Sequence, residues 1–163
     1  MVTVTLTISS DAYVLGLTKE KALQDIYKSV YNRVVNNVTD PVSPTRAKWW
    51  YSAWPDINID NSAEYPIGII NSPELSWDVF TLTKKQVTTI VMIEIYSTKA
   101  QEVDSLAMQV IEAMETSRAK YTGIGFRFVN LDSTTTDMIM RDQIKLHIKS
   151  MTFTGKYNFT KSS

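Results

Sequence analysis

The chain has 163 residues, 44% hydrophobic and 21% charged, with 17 basic side chains against 17 acidic ones and no cysteine. That length suits one domain whose core can stand without disulfide staples. A neutral balance with no basic cluster argues against nucleic acid as the primary ligand. The lack of cysteine excludes disulfides, thiolate metal sites and cysteine nucleophiles, and suits a reducing cytoplasm.

Val2, Val4, Leu6 and Ile8 alternate with Thr3, Thr5 and Thr7. A two-residue period of β-branched and aliphatic side chains predicts an extended strand. Asp11 is the only charge between Met1 and Thr18. Residues 1–17 therefore read as an uncharged arm suited to pairing with a sheet edge, its own or a neighbour's. The start has no basic n-region, so it does not read as a secretory signal. No apolar run reaches the length of a membrane span, and no membrane partner is expected.

Thr18 is placed to cap a helix running to about Asn37, with Glu20 in the first turn where the helix dipole favours an acid. Leu23, Ile26, Tyr27, Val30, Tyr31 and Val34 share one face at helical spacing. Asn36–Asn37, followed by Asp40-Pro41 and Ser43-Pro44, stops it. An irregular stretch over residues 38–64 holds RAKWWYSAWPD, residues 46–56, with three of the chain's four tryptophans. Trp49, Trp50, Tyr51 and Trp54 cannot all share one face of a helix or strand. Some should close the domain's own core while others meet a partner, since tryptophan and tyrosine are enriched at interfaces.

Tyr65-Pro66 leads into the short apolar strand Ile67–Ile70. A further strand is expected over Ser76–Leu82, a turn over Thr83–Gln86, and the strongest strand over residues 87–96. Thr98 with Gln101 fits a capping box for a second helix, in which Val103, Leu106, Ala107, Val110, Ile111 and Met114 form an apolar stripe. Gly123 and Gly125 mark a turn into the strand of residues 125–132, and Ser133–Thr136 reads as a polar loop. The last strand is expected from about Met140 to Phe153. Ile144, Leu146 and Ile148 sit on one parity and Met151 and Phe153 on the other, which predicts a bulge or twist near Ser150.

The order of elements predicts an α+β fold: a mostly antiparallel sheet with two helices packed on one face, plus the extended arm. One domain is expected over 18–157, with a mobile tail over 158–163.

Catalytic chemistry has little to stand on. The single histidine, His147, reads as a solvent-facing strand residue between two lysines. No serine nucleophile motif or phosphate-cradling glycine loop is present. Residues 56–64, DINIDNSAE, space Asp56, Asn58 and Asp60 like a calcium loop, but Asn61 and Ile67 occupy the positions that need glycine and the closing acid. Glu112 and Glu115 read as a solvated helix face. The expectation is a protein with no catalytic, cofactor-binding or metal residues. Val2, Val4, Leu6, Trp49, Trp50, Tyr51 and Trp54 are the candidate protein-interface residues.

The aromatic-Pro strand EYPIGIIN at residues 64–71, the strand feeding a helix over residues 90–114, and the closing strand RDQIKLHIKSMTF at 141–153 together resemble the tail terminator (tail completion) proteins of long-tailed bacteriophages, siphophages especially. The resemblance spans about residues 18–157 and is one of architecture. It implies a non-enzymatic virion protein, assembled in the host cytoplasm. A homohexameric ring would sit at the neck, the head-proximal end of the tail. Such a ring caps the tail tube, stops its polymerisation and joins it to the head-closure or connector protein, with DNA passing through its lumen without specific binding. The alternatives are another neck, tube or baseplate subunit of related fold, or a small-ligand domain with a pocket lined by Trp49, Trp50 and Trp54.

Overall fold

The computed structural model describes residues 19–42, 46, 48–55, 64–79, 84–116, 126–141 and 143–160. The expected arm, the Thr18 cap, the 56–63 stretch and residues 161–163 lie outside them. The elements in chain order are α1 (Lys19–Asn37), β1 (Trp50–Tyr51), β2 (Ile67–Ile70), β3 (Glu74–Val79), β4 (Lys84–Ser97), α2 (Ala100–Glu115), β5 (Phe126–Arg141) and β6 (Ile144–Thr160).

The six strands form one sheet in the order β1-β2-β4-β6-β5, with β3 also paired to β4. Every pairing is antiparallel except β1 with β2. β2 and β3 lie end to end along one edge of β4, opposite residues 93–96 and 85–90 respectively. The fold is α+β, as the sequence predicts.

Strand side chains alternate between faces, so the register assigns each residue to a side. Val91, Ile93 and Ile95 of β4, Met151 and Phe153 of β6, Ile70 of β2 and Trp50 of β1 face the helices. They meet Ile26, Val30 and Val34 of α1 and Val103, Leu106, Val110 and Met114 of α2 in one continuous core. Full burial of such side chains stabilises by roughly 1.5–3 kcal/mol each. Arg33 fixes the two helices together: its Nε donates to the Ala113 carbonyl at 3.1 Å, where a cation also favours the C-terminal end of α2. Beyond the end of α1, the Thr39 N–H donates to Gln109 Oε1.

A second, smaller cluster lies on the opposite face. Tyr65, Ile67 and Leu146 are buried there, with Tyr51, Trp54, Tyr96, Ile139 and Ile144 packed around them. This arrangement corrects the expected bulge near Ser150. The β4–β6 and β5–β6 registers run unbroken through Ser150, and the irregularities in β5 fall at 126/128 and 131/133 instead. Leu146 and Ile148 are buried on one face and Met151 and Phe153 on the other, so the change of apolar parity marks a strand covered on both sides in turn.

Other expectations are corrected as well. Ser133–Thr136 is strand, the exposed middle of β5. Lys84–Gln86 already belongs to β4, and β3 begins at Glu74. The start of α2 uses Ser97 in place of Thr98. Ser97 Oγ accepts the Lys99 N–H at 3.1 Å and donates to the Glu102 carboxylate, while Lys99 makes no side-chain cap. β6 extends to Thr160, past the expected boundary at 157.

Candidate protein-interaction surfaces

The aromatic segment is pinned by a buried ion pair. The Asp40 side chain is 1% exposed and Arg46 is its partner at 2.9 Å. The guanidinium donates through Nε and Nη2 to the two carboxylate oxygens, and the Val42 and Arg46 N–H groups donate to the same carboxylate. Burial raises the Asp40 pKa, but these donors, Arg46 foremost, outweigh it and hold the carboxyl below its ordinary value. Arg46 also donates to the carbonyls of Glu64 and Pro66 at 2.6 and 2.7 Å, across the cis Tyr65-Pro66 bond. One side chain thus ties the segment after α1 to the start of β2, and this is what lets β1 form beside β2.

From that anchor the aromatics divide. Trp49 and Trp50 both sit in the helix-side core, their rings 4.8 Å apart, with the Arg46 guanidinium 5.8 Å from the Trp49 ring. Trp50 is 1% exposed, and its indole N–H has no hydrogen-bond partner. One residue on, Tyr51 points to the opposite face, with the Lys48 ammonium 5.0 Å from its ring. Trp54 joins Tyr51 there, edge-on to Tyr96 at 4.8 Å. Tyr51 and Trp54 are half-buried. Of the sequence-predicted interface residues, Trp49 and Trp50 are therefore built into the chain's own core, Tyr51 and Trp54 lie at the surface of the second face, and Val2, Val4 and Leu6 are outside the described residues.

The three tryptophans do not share a pocket. Trp49 and Trp50 line a cavity of about 340 Å³ with Tyr31, Thr39, Asp40 and Arg46, but Trp54 is across the sheet. His147 is half-buried, level with Ser97 and Met138 on the neighbouring strands. Among the described residues no cluster of three metal-ligating side chains occurs, and no helix is long and apolar enough to cross a membrane.

The surface that the sequence reading missed is the outer edge of β5. This 16-residue strand ends the sheet and pairs, among the described residues, with β6 alone. Met138 and Met140 are 51% and 66% exposed on it. The signal was present in Thr134, Thr135 and Thr136, whose branched Cβ atoms favour strand, but their polarity read as loop.

No family model and no curated protein matches the chain. Its fold is similar to that of a chain in a solved structure of the virion of a native gene transfer agent (GTA) particle. The TM-score is 0.54 at 9% sequence identity, covering 80% of this chain and 92% of that one. At that identity the likeness is one of fold.

Proposed function

We propose that the protein is a structural virion subunit, a tail terminator. As a homohexameric ring at the head-proximal end of the tail it caps the tail tube, arrests polymerisation and joins the tube to the head-closure or connector protein. The observation that supports this reading is the similar fold, which extends over 92% of a chain from a virion particle. The element order that resembles the tail terminators agrees with it.

Ring geometry gives the mechanism. A cyclic ring needs two different patches on each subunit, one meeting the other on the next copy. The outer edge of β5 and β1, which carries Tyr51, lie at opposite ends of the sheet order and so offer two different patches. A cap must present the tube's contact surface on one ring face and a different surface on the other. The chain acts in this reading without a cofactor or catalytic step.

Because the neighbouring structure is of a whole particle, a tube, other neck or baseplate subunit is the second reading. Light scattering of the purified protein across a concentration series tests the ring. A hexamer, or a monomer–hexamer equilibrium, supports the proposal. A monomer that stays monomeric on isolated tail tubes overturns it.

A further inference from the structure

We draw no further inference here: the strongest candidate, the cavity of about 340 Å³ between the end of α1 and the Trp49–Trp50 pair, carries nothing, because its Asp40 and Arg46 groups are spent on each other and on the carbonyls of Glu64 and Pro66, the unpartnered Trp50 indole N–H is too deeply buried to meet a ligand in it, and nothing in the structure shows what would fill it.

Discussion

Gly68 lies directly beneath the Trp50 indole: a Cβ added at Gly68 would stand 2.2 Å from Trp50 Cε3. The two residues are register partners in the parallel β1–β2 pair, so the missing side chain is what admits the ring to the helix-side core. Trp50 is packed against Trp49 in the helix-side core, so a Cβ at Gly68 would have to displace the ring. Gly68→Ala should therefore destabilise by about 1–3 kcal/mol through overpacking, read from the urea midpoint. An unchanged midpoint would mean that the indole can move aside.

Trp50 and Trp54 should separate stability from assembly. Trp50→Ala opens a large hole in the core and should cost about 3–5 kcal/mol. Trp54→Ala removes a half-buried ring whose edge-to-face contact with Tyr96 is worth about 0.5–1.5 kcal/mol, so it should lower the melting temperature less and weaken oligomerisation more. Thermal melts and sedimentation of the two variants side by side check this. An equal loss of stability with full assembly for Trp54→Ala would remove it from the interface.

The Asp40–Arg46 pair predicts an acid limb. The folded pKa of Asp40 is lowered from its model-compound value of 3.8. Its contribution to stability is then complete above that value and is lost as pH falls below it toward the folded pKa. Asp40→Asn leaves Arg46 buried without its counter-charge and should cost about 3–5 kcal/mol at neutral pH. The difference in urea midpoint between the wild-type protein and this variant should narrow between pH 4 and lower pH. A constant difference across that range would show that the charge of Asp40 is not what stabilises the segment.

Gln143 takes a positive φ of 73° in the tight β5–β6 connection. That region costs a residue with a Cβ about 1–2 kcal/mol, so Gln143→Gly should hold or raise the melting temperature where most glycine substitutions lower it. A clear fall would mean that the Gln143 side chain stabilises the turn in another way.

The two helices were legible in the sequence because their signal is local. The stripe from Ile26 to Val34 and the one from Val103 to Met114 follow the helical period and are the faces buried in the core. Ile67–Ile70 was legible for a similar reason, as a short apolar run on a strand buried on both faces. What escaped depends on partners far along the chain. The split between Trp50 and Tyr51 is decided by pairing with Gly68 and Ile69, which the residues around 50 do not encode. The parity change between Ile148 and Met151 suggests a bulge only for a strand with one buried face, and β6 is covered on both. Ser133–Thr136 reads as loop because an edge strand exposed on both faces has the composition of one. The candidate surface was therefore half visible: its aromatics stood out, while the β5 edge did not.

The central claim is that this chain caps a tail tube, and electron microscopy of growing tubes tests it most directly. Tube subunits from the same particle are polymerised with and without the purified full-length protein, and both lengths and ends are imaged. The account predicts a ring of density on one end of each tube and growth arrested where the ring sits. Bare ends, with elongation continuing at the same rate in the presence of the protein, would contradict it.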